Sequence, residues 1–455
     1  MAYRWSTYSN QYKISMNLAY PVVIGSLGQI MVSVADSIMV GKFLGTIPLA
    51  ATSFAVSIII IPMVFAMGVA FGLTPLVAAA DGAGDSKSAT RYFKNGLVLN
   101  SVLGLIIYGA IALFAKGAHL LGQDPRVVEA SLPYINLVGF SIIPMMSFFA
   151  FKQFAEGLSD TKTAMKVSLG ANIINILLNY PLITGWGPFP ELGLLGAAVS
   201  TLSTRFLMLA VMILYIRKQE KFTEYWGHWR AVKIEWKCIR EILKIGVPSG
   251  LQYVFEAGAF AMSGVIVGMI GPVQQAAHQI ALNIASVSYM MVTGLGAAGT
   301  IRMGNQLGQK NIPMLRLAGQ SIFHLTFFLM IITMALLLLL RNILPEFYSS
   351  DPEVLQYTTV LIVAAGLFQL PDGFQATALG VLRGIKDVNI PTVIAFFSYW
   401  VIAVPMGYYL GVSAGYGALG VWIGLATGLV LASIALYYRF QNRTKKLQET
   451  HPEDL

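Results

Sequence analysis

Long apolar runs, interrupted by clusters of glycine, proline and charge, dominate the pattern along this chain. A membrane-crossing helix needs about 20 mostly apolar residues. Reading for runs of that length gives twelve, near 14–41, 48–80, 92–115, 128–152, 163–184, 193–217, 242–270, 275–306, 315–340, 353–382, 390–412 and 416–439. The expected fold class is an all-α polytopic membrane protein with 12 transmembrane helices. Several runs are longer than a perpendicular crossing requires, which fits tilted or kinked helices. Pro21, Pro62, Pro144, Pro248, Pro371 and Pro405 lie inside runs, where neighbouring helices can satisfy the carbonyls that a proline frees.

Composition removes the soluble alternative. Of 455 residues 56% are hydrophobic and 11% charged, and mean hydropathy is +0.68; soluble domains carry roughly 25% charged residues. The single cysteine, Cys238, excludes a disulfide framework and a multi-thiolate metal site. The first twenty residues lack a compact apolar core and a small-residue cleavage site, so no cleaved signal peptide is expected.

Charge sets the expected orientation. With both termini cytoplasmic, 25 of the 30 Lys and Arg face inward, including eight between 217 and 244. Lys42, Lys116, Arg126 and Arg341 face outward, and Arg205 lies within span 6. The net charge of +9 is thereby assigned to anionic lipid, and no nucleic-acid partner is needed.

The chain also repeats itself. Pro21 and Pro248, Pro144 and Pro371, Gly157 and Gly384, and Asp160 and Asp387 are each 227 residues apart. Gly82 and Gly308 form a similar pair displaced by one residue. Six spans per half is an even number, so the repeats run parallel about an axis along the membrane normal. The expected organisation is a six-helix lobe over 1–218, a cytoplasmic linker over 219–241 and a second six-helix lobe over 242–455. Trp226, Trp229 and Trp236 of the linker suit the membrane interface. Two pseudo-symmetric lobes form a transporter architecture.

Charged groups in mid-membrane are costly, at least ~2.5 kcal/mol each, and mark function by default. Asp36, Glu256 and Asp372 qualify. Gln29, Ser33 and Asp36 form one stripe of span 1, and Asn172, Asn175 and Asn179 one stripe of span 5; span 6 adds Thr201, Thr204 and Arg205. One carboxylate among neutral oxygens suits a hard monovalent cation or a proton. In the second half, Gln252 and Glu256 lie one turn apart. Gln279, Asn283 and Ser286 line a face of span 8, and Gln369, Asp372 and Gln375 cluster on span 10. Two carboxylates sharing a low-dielectric site call for a proton, a metal cation or an organic cation. Blander readings stand beside these. Asp36 is about 7–8 Å of helix rise from Gly41 and so near the outer headgroups. The Asn stripe can be interhelical glue, Arg205 can snorkel or pair with a helix end, and His278 reads as a hydrogen-bonded structural residue. Neither GxxxxGK[ST] nor HExxH occurs, nor a Cys/His cluster, so the chain reads as neither a nucleotide-driven pump nor an enzyme.

Five phrases carry a resemblance: VADSIMVGKFLG (34–45), NILLNYPLITGWG…ELGLLGAAVST (175–201), AAHQIALNIAS (276–286), AAGTIRMGNQLGQKN (297–311) and LPDGFQATALGVLRGIKD (370–387). With them the chain resembles the multidrug and toxic compound extrusion (MATE) family, in particular its NorM-like branch, across essentially all twelve spans. The resemblance implies a monomeric antiporter of a bacterial cytoplasmic membrane, exporting small organic cations against inward Na⁺ or H⁺, without a cofactor. It also implies that Asp36, Asn175, Asn179 and Thr201 form a cation site in the first lobe, and Glu256 and Asp372 the acidic pair of the second. Na⁺ would bind at either. Where members of that branch can carry a tyrosine one turn before the span-10 aspartate, this chain has Phe368. Rival readings are a lipid-linked precursor flippase, which predicts a strongly cationic cavity, a proton-coupled exporter of an endogenous metabolite, and a receptor or membrane enzyme indifferent to ion gradients.

Overall fold

The computed structural model describes residues 5–450, with side chains from 8 to 449. Among the described residues, twelve helices are long and apolar enough to cross a membrane. They are α1 (Tyr8–Leu44), α2 (Thr46–Gly82), α3 (Ser86–Lys116), α4 (Pro125–Gly157), α5 (Thr161–Thr184) and α6 (Leu194–Lys218), then α7 (Trp236–Ile270), α8 (Pro272–Gly308), α9 (Ile312–Leu340), α10 (Pro352–Gly384), α11 (Asn389–Ser413) and α12 (Gly417–Glu449). No strand occurs among the described residues. Large apolar side chains such as Leu113, Leu177 and Leu339 point outward, as a lipid-facing surface requires.

Proline is not what breaks these helices. Pro21, Pro62, Pro248 and Pro371 lie inside helical segments. The interruptions in α2 and α4 fall at Phe71–Gly72 and at Ser141. A Cβ on Gly72 would come within 2.7 Å of the Ile242 carbonyl, so the break accompanies a backbone-to-backbone crossing. Pro144 follows the second break by three residues, in a first turn, where a missing N–H costs least. In α11, π-helical stretches at Phe397–Ala403 and Tyr409–Ser413 flank the turn holding Pro405.

The helices form two compact units. One runs from Ile24 to Gly250; the other takes the chain up to Val23 together with the chain from Leu251 onward. These limits differ from a division in the linker. Helices α1 and α7 each belong to both units, and the two crossing points, Val23 and Gly250, are 227 residues apart, the repeat period itself. Within the first unit Ile107, Ile135, Ile142, Met146 and Phe149 pack together between α2, α3 and α4. The second has one core around Tyr399, Trp422 and Leu425. Another lies around Ala19, Phe323 and Phe440, with the early part of α1 built into it. Arg302 of α8 fastens that part, donating to the Gln11 carbonyl at 3.1 Å, to Ser15 Oγ at 2.6 Å and to the Gln11 side chain.

The repeat is explicit in four turns, those ending α2, α4, α8 and α10. Gly84, Ser159, Lys310 and Lys386 all adopt left-handed backbone, with φ of 70°, 62°, 57° and 62°. In each turn the next residue donates its N–H five residues back: Asp85 to Ala80, Asp160 to Ala155, Asn311 to Gln306 and Asp387 to Leu382, at 2.8–3.1 Å. This is the C-terminal capping geometry that favours glycine, yet only one of the four turns has it. Asp85, Asp160 and Asn311 then cap the following helix by accepting from Ser88, Thr163 and Met314 N–H groups. Asp387 departs from the pattern and instead accepts from Arg439 Nε at 2.8 Å and Nη2 at 3.1 Å, with Arg443 beside it as an ion-pair partner at 3.3 Å.

Candidate functional site

Two polar centres lie within the spans, one in each unit. In the first, Asn175 and Asn179 stand one turn apart on α5 and face Ser200 and Thr204, one turn apart on α6. The helices approach closely because Gly196 meets the backbone of Leu182 and Ile183. Asn175 Nδ2 donates to Ser200 Oγ at 3.2 Å and to Thr204 Oγ1 at 3.4 Å, and Ser200 Oγ donates to the Asn175 carbonyl at 3.0 Å. Asn179 Nδ2 donates to the Asp36 carboxylate and reaches Asn175 Oδ1 at 3.5 Å. The buried Asn179 Oδ1 is left without a partner.

Thr201 takes no part in this network. Ser200, one residue earlier and about 100° round the helix, holds the position that sequence reasoning gave to it. Gln29 and Ser33 are exposed and stand apart from Asp36's hydrogen bonds. Asn172 packs against Gly28, whose absent Cβ leaves room for the Asn172 amide. Arg205 reaches the end of a helix: its guanidinium donates to Ser141 Oγ at 2.7 Å and toward the Val138 carbonyl, at the break in α4. It remains near enough to feel Asp36 and Tyr134 electrostatically.

The second centre has more charge and fewer hydrogen bonds. Glu256 on α7 is hydrogen-bonded by Tyr289 of α8 and Gln375 of α10. Asp372 interacts electrostatically with Glu256, and Tyr399 of α11 with both. Glu256, Gln369, Asp372, Gln375 and Tyr399 are all at most 6% exposed. Both amide atoms of Gln369, Asp372 Oδ1, Gln375 Oε1 and Tyr399 Oη are buried with no hydrogen-bond partner. An unsatisfied buried polar group costs about 1–3 kcal/mol, so a cluster of them is the place for a ligand, a cation or water. Gln252 is tied by its Nε2 to Thr392 Oγ1 at 2.9 Å, and its Oε1 is left over.

Other expected residues have different duties. His278 is structural: Trp422 Nε1 donates to its Nδ1 at 3.0 Å, and Ser263 Oγ lies 3.4 Å from its Nε2. Accepting at Nδ1 makes Nε2 the protonated nitrogen and therefore the donor to Ser263, which passes its own proton to the Phe260 carbonyl. Phe368 is buried edge-on against Phe260 and Trp422. Gln279 and Asn283 pair at 3.2 Å on an exposed face of α8, with Ser286 turned back onto the Asn283 carbonyl.

Sequence reasoning missed the tyrosines. Tyr399 sits 227 residues after Asn172, so the repeat mapped onto the Asn stripe would have found it. Tyr289 follows Ser286 by one turn, an extension of a stripe already drawn. Tyr134, beside Asp36 and Arg205, had no signal.

Comparison with known proteins gives a consistent set of likenesses. The MatE family model matches residues 21–181 and 248–409, one stretch in each repeat. A probable multidrug resistance protein NorM of Rhizobium meliloti is 32% identical over 441 residues, covering 96% of this chain and 94% of that protein. One of the same name from Pseudomonas putida is 31% identical, covering 96% of each. Among solved structures, the eukaryotic MATE transporter AtDTX14 superposes with a TM-score of 0.87 at 21% identity, over 98% of this chain and all of that one. An outward-facing multidrug resistance MATE transporter gives 0.88 at 20% identity over 96% and 97%.

Proposed function

This chain belongs to the MatE family, and on that premise we propose that it is a secondary active antiporter exporting cationic amphipathic compounds in exchange for Na⁺ or H⁺. The observation that carries the reading is the second centre, where two carboxylates share a buried site with unpartnered amide and phenol groups. Emptied of its coupling ion, that centre holds negative charge to attract an organic cation. Filled by Na⁺ or a proton, it no longer does, and the compound leaves. The first centre, Asp36 with the Asn179, Asn175 and Ser200 oxygens, supplies a second set of donors for a hard cation or a proton.

Coupling requires that the ion bind two conformations of the carrier differently. One charge moving inward gains ~2.3 kcal/mol per 100 mV, enough for roughly 50-fold accumulation of the exported compound. The membrane is the bacterial cytoplasmic membrane, the carrier a monomer and both termini cytoplasmic. The flippase reading loses support because Arg205, the one arginine deep in the first lobe's bilayer region, is spent on the break in α4.

The test is ethidium efflux from proteoliposomes under a Na⁺ gradient or a pH gradient imposed separately. Efflux driven by Na⁺ at fixed pH establishes a sodium antiporter, and efflux driven only by ΔpH a proton antiporter. No efflux under either gradient overturns the proposal.

A further inference from the structure

The stretch from the end of α6 to the first residue of α7 holds three tryptophans, and the structure separates them. Trp226 and Trp229 pack edge-to-face at 4.9 Å, Trp229 meets Phe93 of α3 at a tilt with ring centroids 5.5 Å apart, and Arg217 and Lys94 lie over the Trp226 and Trp229 rings. Both are used inside the fold. Trp236, the first residue of α7, is 70% exposed, and Ile234 beside it 55%.

Their exposure is not looseness of the segment, which is pinned from Tyr225 onward to α3 and the end of α2. Thr90 Oγ1 donates to the Tyr225 carbonyl at 3.0 Å, and Lys94 Nζ to the Trp229 and Val232 carbonyls at 3.1 and 2.9 Å. Asn95 donates to the Lys233 carbonyl at 3.2 Å and accepts from Glu235 N–H at 2.7 Å. Tyr225 Oη is tied to Asp81 and Tyr92 Oη to Glu241.

Around the two exposed apolar side chains lie Lys233, Lys237, Arg240 and Lys244, all exposed and without an ion pair or side-chain hydrogen bond among the described residues. Residues 236, 237, 240 and 244 fall on one face of α7, over ~12 Å of rise. The nearby acids are engaged elsewhere, Glu235 with Arg91 and Glu241 with Tyr92. The fold does not demand this stripe. The repeat-equivalent positions of α1 are Ser9, Asn10, Lys13 and Asn17, with a single cation.

From this we infer that Ile234, Trp236, Lys237, Arg240 and Lys244 form a docking surface for anionic phospholipid headgroups at the start of α7. The indole and Ile234 enter the interface, where amphipathic rings are favoured. The cations, with stems laid along the helix, meet phosphates at successive depths. An aqueous protein partner is disfavoured by position, because the stripe climbs directly into a membrane span.

The test uses the full chain in phosphatidylcholine vesicles, with a minor fraction of brominated phosphatidylglycerol or brominated phosphatidylcholine as quencher. The Trp236 signal is the difference between wild type and Trp236→Phe. Each cation near an anionic surface is worth about a fivefold preference, so wild type is expected to favour the anionic quencher by at least that factor. Raised salt reduces the preference, and Lys237→Gln/Arg240→Gln/Lys244→Gln removes it while both lipids still quench. Equal quenching by the two lipids in wild type overturns the anionic preference. No quenching by either means that Trp236 faces water or protein and overturns the site. A triple variant whose Trp236 signal is unchanged overturns the role of the cations.

Discussion

The two polar centres solve one problem, keeping carboxylates inside a membrane, in opposite ways. In the first, Asp36 accepts from the Asn179 amide, which also reaches the Asn175 amide, and Asn175 in turn donates to two hydroxyls. In the second, Glu256 has two partners, while Asp372, Gln369, Gln375 and Tyr399 all keep buried atoms unpaired. Nor do they occupy equivalent places in the repeat. Subtracting the 227-residue period puts Glu256 at Gln29 and Asp372 at Met145, whereas Asp36 maps onto Ser263. Asp36 therefore lies two turns further along its helix than the position matching Glu256. The duplicated scaffold is shared and the chemistry is not, so a centre with one stranded amide oxygen in its network and a centre with several unpaired groups are expected to respond differently to the same substitution.

The largest effect is expected at the unsatisfied centre. Asp372→Asn is predicted to abolish gradient-driven accumulation, from as much as roughly 50-fold per 100 mV to none, with the fold retained because no hydrogen bond at Oδ1 is lost. Glu256→Gln should do the same. If the pair holds one ion or proton between them, the double variant is no worse than either single one. Additive losses in proteoliposome efflux would separate the two carboxylates.

At the first centre, where more of the groups are paired, Asp36→Asn removes the charge while keeping an acceptor for Asn179. Transport should fall on the order of tenfold, equivalent to one charge-assisted hydrogen bond, with Na⁺ or pH dependence preserved. A loss as complete as that of Asp372→Asn would erase the distinction between the centres. Asn179→Ala should instead lower stability by about 1–3 kcal/mol, since it strands Asp36, measured as an earlier thermal unfolding midpoint in detergent. His278→Ala belongs with it. Removing the acceptor of Trp422 Nε1 and leaving a cavity should cost about 2–4 kcal/mol without altering which ion drives efflux.

What the sequence shows and hides follows from the same physics. Hydropathy finds all twelve spans because length and apolarity suffice to cross a bilayer. Asp36, Asn175, Asn179, Glu256 and Asp372 stand out because polar groups are costly there. Rotation about the helix axis is what stays hidden: a membrane helix is apolar toward lipid and toward protein alike, so no moment tells Ser200 from Thr201. The same ambiguity covers Trp226, Trp229 and Trp236, of which one faces outward. The breaks at Gly72 and Ser141 depend on which backbones cross, a tertiary fact that proline content cannot report.

Smaller effects test the scaffold that carries both centres. Gly84 and Lys310 hold the same left-handed conformation in matching turns. Exchanging them should move stability in opposite directions. Gly84→Lys should cost about 1 kcal/mol of backbone strain, since no atom crowds its Cβ position. Lys310→Gly should gain at most a few tenths of a kcal/mol, because the unfolded chain gains freedom too.

The smallest difference separates the caps that follow those turns. Asp85 and Asn311 occupy equivalent positions and accept from Ser88 and Met314 N–H at 2.9 and 3.1 Å, but only the aspartate titrates. The hydrogen bonds from Ser88 hold the Asp85 carboxyl below its ordinary value of 3.8. A depressed carboxyl stabilises the fold fully above the unfolded value, and that contribution disappears as pH falls through the folded one. Asp85→Asn should therefore cost a few tenths of a kcal/mol at neutral pH, the charge's interaction with the helix dipole, and progressively less as pH falls below the ordinary carboxyl value toward the depressed folded one. Asn311→Asp should add a matching acid-sensitive increment to the second repeat. Unfolding midpoints from pH 7 to pH 3 would read both, and parallel curves for wild type and Asp85→Asn would show that the first cap acts, like its counterpart, as a neutral acceptor.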